Sequence, residues 1–157
     1  MKYILLVSIL ILMSGCATKY QEPTGTEYST ISIPHNKTKY NFGFSGEQYQ
    51  IGIIDKSGCV NSWHIIEEND KNKEYEIVKI TAYKNISIYA LLYVGNSQCS
   101  LFGSFEPEIN KHYTLSTKII AGNCYMYVSK NEDNQEIFIK MKMLKEKNSI
   151  TGKMCLE

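Results

Sequence analysis

Beyond residue 26 the chain alternates apolar and polar positions with a period of two almost without relief, which is the mark of half-buried strands. Ile31 and Ile33 alternate with Thr30 and Ser32 up to Pro34. Tyr40, Phe42 and Phe44 alternate with Asn41, Gly43 and Ser45, and Tyr49, Ile51 and Ile53 with Gln50 and Gly52 before a turn at Asp55-Lys-Ser-Gly58. Cys59 to Ile66 holds the one tryptophan, Trp63, and a charged loop from Glu67 to Lys73 follows it. From Tyr75 to Tyr83, Val78, Ile80 and Ala82 share a strand face; Glu76 and Lys79 would also suit a helix, but the β-branched content selects a strand. Ile86 to Val94 is apolar on both faces, as in a central strand covered on both sides. Cys99–Phe105, Tyr113–Ile119 and Cys124–Val128 give three more strands. Last, Ile137, Ile139, Met141 and Met143 alternate with Phe138, Lys140 and Lys142, and the lysine face suits an edge strand.

About eight or nine short strands at roughly ten-residue spacing, with no helical pattern after the N-terminus, predict an all-β, antiparallel β-sandwich, immunoglobulin-like or transthyretin-like. The apolar alternations supply its two inner faces.

The N-terminus reads differently. Lys2 is followed by a charge-free run from Tyr3 to Met13, and small residues, Ser14 and Gly15, precede Cys16. The apolar run, ~11 residues, is shorter than the about 20 that a membrane span needs. The string Met13-Ser14-Gly15-Cys16 resembles the cleavage box of bacterial lipoproteins, with methionine in place of the usual leucine. That resemblance implies cleavage before Cys16 and lipidation of its thiol. Ala17, standing where an aspartate would favour inner-membrane retention, implies the outer membrane. The alternative is an ordinary secretory signal, cut and discarded, with Ala17 extending its small-residue site. The expected organisation is a signal over 1–15, a lipidated cysteine and polar tether over 16–26, and one domain over 27–157. That domain is large enough to bury its own core.

Cysteine use follows from export. With Cys16 taken by lipid, Cys59, Cys99, Cys124 and Cys155 remain, an even number suited to two disulfides. Of three pairings, Cys99–Cys124 with Cys59–Cys155 is favoured; the second would staple the C-terminal tail to an early turn. Cys99 and Cys124 each open a strand, so their bond requires the strands to meet across a sheet bend or between sheets. Zinc is disfavoured: no two cysteines are close in sequence, and His35, His64 and His112 fall at no ligand spacing.

Charge changes the picture by exclusion. Lys+Arg 17 nearly balances Asp+Glu 16, and every basic residue is a lysine. A chain without a basic surplus is a poor nucleic-acid binder, and one without arginine lacks the bidentate fork for phosphates. No phosphate loop or metalloprotease or hydrolase motif is present, and no cofactor is expected. Glu67-Glu68 reads as a solvated rim.

The string Cys99-x5-Phe105-x-Pro107-Glu108-x-Asn110-x-x-Tyr113, followed by Cys124, is similar to a pattern of small uncharacterised exported lipoproteins of Gram-negative bacteria. There the turn often reads Pro-Glu-x-Gly, and Asn110 replaces the glycine, as an asparagine at positive φ can. The resemblance implies a fold neighbourhood and no activity. The expected function is therefore a non-enzymatic envelope module, held in the membrane through its N-terminal lipid and docking a protein partner. The 12 tyrosines are read mainly as covered strand residues, with a protein-binding sheet face as the functional alternative. Further alternatives are an envelope hydrolase or small-ligand binder with a pocket near His64 or His112, and a soluble inhibitor or immunity-type protein.

Overall fold

The computed structural model describes residues 18–35, 38–39, 45–68, 73–95, 97–148 and 153–156. The expected signal, Cys16 and the aromatic alternation at Tyr40, Phe42 and Phe44 lie outside the described residues. Among the described residues there are twelve strands and no helix. They are β1 (Tyr28–Pro34), β2 (Thr38–Lys39), β3 (Ser45–Ile54), β4 (Val60–Ile65), β5 (Tyr75–Thr81), β6 (Ile86–Val94), β7 (Ser97–Phe105), β8 (His112–Ile120), β9 (Asn123–Glu132), β10 (Gln135–Ile139), β11 (Lys142–Asn148) and β12 (Lys153–Leu156).

These strands form two sheets. One has five strands in the order β10-β9-β8-β1-β5; the other has seven, ordered β12-β11-β7-β6-β3-β2, with β4 also paired to β3. The alternation seen in the sequence fixes which residues point between them. Ile31, Ile33, Val78, Ile80, Tyr113, Leu115 and Val128 from the first sheet meet Tyr49, Ile51, Ile86, Ile88, Ala90 and Phe105 from the second in one buried cluster. Each fully buried aliphatic side chain there contributes roughly 1.5–3 kcal/mol relative to exposure. β6 is central as expected, flanked by β3 and β7. Its two-sided apolarity has a use, because the outward-facing Tyr89 packs against Trp63 and Phe102.

Three features depart from the sequence reading. The five-stranded sheet is not wholly antiparallel: β1 runs parallel to β8 while antiparallel to β5. The run from Ile137 to Met143 is two strands rather than one; β10 ends at Ile139 on the edge of the five-stranded sheet and β11 begins at Lys142 in the other. A period of two cannot tell a continuous strand from one that leaves its sheet and re-enters another. Finally β12, unmarked by alternation, pairs with β11 and reaches β4.

Both disulfides stitch distant parts. Cys99 on β7 is bonded to Cys124 on β9, so this bond joins the two sheets. Cys59, just before β4, is bonded to Cys155 on β12, which brings the far edge of the seven-stranded sheet round to β4. The turn between β7 and β8 carries the chain from one sheet to the other. There Pro107 is fully buried, Asn110 adopts φ 58°, and the Glu108 amide donates to the Tyr113 hydroxyl at 2.8 Å. Lys130, nearly buried, donates to the Glu108 carboxylate at 2.7 Å and lies 3.5 Å from Glu132. The Pro107 to Tyr113 string is thus a structural device that fixes the crossover.

Candidate binding face and anchor segment

The outward face of the five-stranded sheet can be read from its register. Phe138 of β10 stands opposite Ser129 of β9, Ser129 opposite Thr114 of β8, Thr114 beside Ser32 of β1, and Ser32 opposite Ile77 of β5. The row has a low floor of three hydroxyl side chains between two tall apolar rims. Phe138 is 62% exposed and Ile77 59%, whereas Ser129 and Ser32 are buried between their neighbours. Tyr127 stiffens one rim, edge-on to Phe138 with ring centroids 5.4 Å apart and with the Lys118 amine 5.4 Å from its own centroid. Tyr75, also exposed, extends the other. The result is a row with exposed apolar side chains at both ends and small, largely covered hydroxyl residues between them, a combination able to hold a partner by apolar contact area.

His112 touches that row. Its Nδ1 is 2.8 Å from the Thr30 hydroxyl and its Nε2 is 3.1 Å from the Ser32 hydroxyl. His64 is held the same way in the other sheet, with Nδ1 2.9 Å from the Thr18 hydroxyl and Nε2 2.8 Å from the Ser62 hydroxyl. The two histidines therefore sit on different sheets and do not combine into one site. Each ring has both nitrogens taken by hydroxyls, so no carboxylate fixes the tautomer in the manner of a nucleophile–base–acid relay. Ser32 also lies in mid-strand, its neighbouring backbone committed to the β1–β5 and β1–β8 ladders. The arrangement orients imidazoles as hydrogen-bonding surface groups.

Three clefts lie elsewhere. One of ≈ 240 Å³ is lined by Leu92, Ser97, Ile119, Gly122 and the Cys99–Cys124 pair. A second of ≈ 470 Å³ surrounds Asn131, Asp133 and Asn134 at the β9–β10 turn. The third, of ≈ 220 Å³, lies between Ser57 and Lys145, Glu146 and Lys147. Neither His64 nor His112 lines any of the three. Among the described residues no group of three or more His, Cys, Asp or Glu could hold a metal ion.

The segment expected to be a tether is fastened to the domain from Thr18 onward. The Ile65 amide donates to the Thr18 carbonyl at 3.0 Å and the Tyr20 amide to the Ile65 carbonyl at 2.8 Å, so Lys19 extends β4 as a parallel bridge. Lys19 pairs with Glu67 at 2.7 Å. The Tyr20 ring packs against the core and its hydroxyl donates to the Lys79 carbonyl at 3.0 Å. Burial, with Glu22 adding to it, pushes the Tyr20 phenol up to about 12. Glu22 in turn accepts from the Lys79 amide at 3.0 Å. A polar composition with Pro23 and Gly25 gave no hint of this docking, because the only apolar anchor is the single ring of Tyr20.

The seven-stranded sheet has its own outward cluster. Tyr89 stacks on Phe102 at 4.7 Å between centroids, and Trp63 leans on both at 5.8 and 5.9 Å. Of the tyrosines weighed from sequence, Tyr125 is 49% exposed, while Tyr89, Tyr93 and Tyr127 are half-buried on outward faces. Sequence spacing marked these positions as strand residues; which of them share a row with residues of distant strands depends on register alone. No protein-family model matches the chain, and comparison with curated proteins and with solved structures gives no match.

Proposed function

We propose that this chain is a non-enzymatic lipoprotein of the bacterial envelope, anchored through lipid on Cys16, whose sandwich docks a protein partner on the outward face of its five-stranded sheet. The observation that carries the reading is the row: exposed Phe138 and Ile77 stand at its two ends, with small hydroxyl residues between them. Exposed aromatic and aliphatic side chains around small polar ones resemble the core of a protein interface, where aromatic anchors carry most of the binding energy. The string Met13-Ser14-Gly15-Cys16 supports the anchor, and the two disulfides fit an oxidising compartment. The outer membrane is the compartment that Ala17 favours.

A photo-crosslinking amino acid placed in turn at Phe138, Ile77 and, on the other sheet, Asn61 tests it in intact cells. Discrete adducts of one mass from Phe138 and Ile77, absent from Asn61, are expected. Absence of adducts from both Phe138 and Ile77, or the same adducts from all three, contradicts the reading. A small-ligand site at His112 is the second reading, favoured by the two hydroxyls on its ring. Under it, His112→Ala abolishes the adducts' competition by ligand; under the first, the Phe138 adduct survives that substitution.

A further inference from the structure

We infer that the domain does not hang from its anchor but lies directly on an anionic phospholipid surface, with β4 and the β11–β12 hairpin against the headgroups. The inference rests on the lipid-anchor reading of Cys16 and adds the orientation. Its first ground is length. Thr18 is already hydrogen-bonded to β4, and one residue, Ala17, separates it from Cys16. Two residues of chain span at most ~7 Å, so a lipid on Cys16 brings the bilayer to the wall of the domain.

Direction is the second ground. Because the Lys19–Ile65 bridge is parallel, Thr18 lies on the side of Lys19 from which β4 begins. Val60 is there, beside Cys59, its disulfide to Cys155, and the Leu156 amide that donates to the Gly58 carbonyl at 2.8 Å. The strand to which Thr18 is bonded thus leads, through Cys59–Cys155, to the C-terminal strands.

The hairpin is the third ground, because of its charge. Among the described residues of the 55–58 turn, β11 and β12, Lys56, Lys142, Lys145, Lys147 and Lys153 are set against Asp55 and Glu146. Asp55 is engaged by Lys153 at 3.8 Å. The chain as a whole has almost no net charge, so these strands carry a local cationic surplus, and a cleft of ≈ 220 Å³ there is lined by Ser57, Lys145, Glu146, Lys147, Cys155 and Leu156. Lysines near an anionic leaflet add electrostatic attraction to a lipid anchor. On β4 are the half-buried Trp63 and the exposed Ile65. Tryptophan is the residue type most at home where headgroups meet acyl chains.

Trp63 is the sole tryptophan, which makes it a reporter. The natively expressed protein, its mass measured for added acyl chains, is reconstituted in phosphatidylethanolamine vesicles with about 30% brominated phosphatidylglycerol, and separately in brominated phosphatidylcholine alone. About a twofold loss of Trp63 emission is expected in the anionic vesicles, relieved by high salt, and little loss in the neutral ones. Lys142→Glu with Lys147→Glu, both exposed in the wild type, should abolish that loss while the protein still sediments with the vesicles and keeps its circular dichroism. Wild type that sediments with unquenched Trp63, or a variant quenched like wild type, overturns the inference and leaves the anchor intact. Protein without added acyl mass that fails to sediment overturns the anchor reading, and the orientation falls with it.

Discussion

At position 52 there is no room for a side chain. A Cβ there would stand 2.6 Å from Val60 Cγ1 and 3.0 Å from Trp63 Cε3, both on stiff side chains. At Gly103 the nearest atoms are the methyl ends of Met141, at 2.6 Å, and Met126, at 2.9 Å, and methionine termini yield easily. Gly52→Ala should therefore cost about 1–3 kcal/mol in urea unfolding and Gly103→Ala distinctly less; equal costs would mean that Trp63 does not press on β3. Charged residues at the crossover set a pH dependence. The Lys111 hydrogen bond to Glu132, at 2.6 Å, holds that carboxyl below its ordinary range. Hydrogen bonds to Glu132 and Glu108 raise Lys111 and Lys130 respectively. A lowered carboxyl contributes stability above its unfolded pKa and loses it as pH falls through the folded value. A raised amine contributes below its unfolded pKa and loses it as pH rises through the folded one. Loss of these pairs should lower the Tm as pH falls below about 4 and as it rises above about 10.5. Glu132→Gln should flatten the acid limb; an unchanged limb would remove Glu132 from the account. None of these pairings could be seen in the sequence, since Lys111, Lys130 and Glu132 meet only after β8 and β9 have paired.

Strands were the legible level. The alternation about Ile31, Ile51, Val78 and Leu115 places these residues in the observed core, and the two-sided run from Ile86 is the central strand β6. Illegible were the changes of sheet: Lys140 and Met141 carry the chain between sheets without any break in the pattern. Equally hidden was the outward row, since Phe138, Ser129, Thr114, Ser32 and Ile77 line up only through register. One cross-strand pair in the seven-stranded sheet shows the same effect. Ser87 and Ser104 stand directly opposite each other, both fully buried, and neither hydroxyl has a hydrogen-bond partner. In sequence each looks like an ordinary outward serine of an alternating strand. Burying an unpaired hydroxyl is unfavourable, so Ser87→Ala with Ser104→Ala should raise stability by about 1 kcal/mol or leave it unchanged. A marked loss on urea unfolding would show that the pair is hydrogen-bonded in solution.

For the whole molecule, the disulfides and the proposed anchor bear on how the sandwich is held. Cys59–Cys155 spans 96 residues and Cys99–Cys124 spans 25. Loop-closure entropy assigns about 4–5 kcal/mol to the first and about 3–4 kcal/mol to the second. Replacing Cys59 and Cys155 by serine should accordingly lower denaturant stability more than replacing Cys99 and Cys124; the reverse order would place the stronger constraint between the sheets. The even number of cysteines outside the N-terminal segment made disulfides legible, together with the resemblance of that segment to an export signal. The docking of Thr18 to Glu22 was not legible, because it depends on the distant partners Ile65, Glu67 and Lys79. The account as a whole stands on Cys16. Intact mass and membrane fractionation of the natively expressed protein beside its Cys16→Ser variant test it most directly. The account predicts that the wild type pellets with the outer membrane and carries the mass of added acyl chains, while the variant is soluble or unprocessed. Wild type and variant that are both soluble and equally cleaved would contradict it.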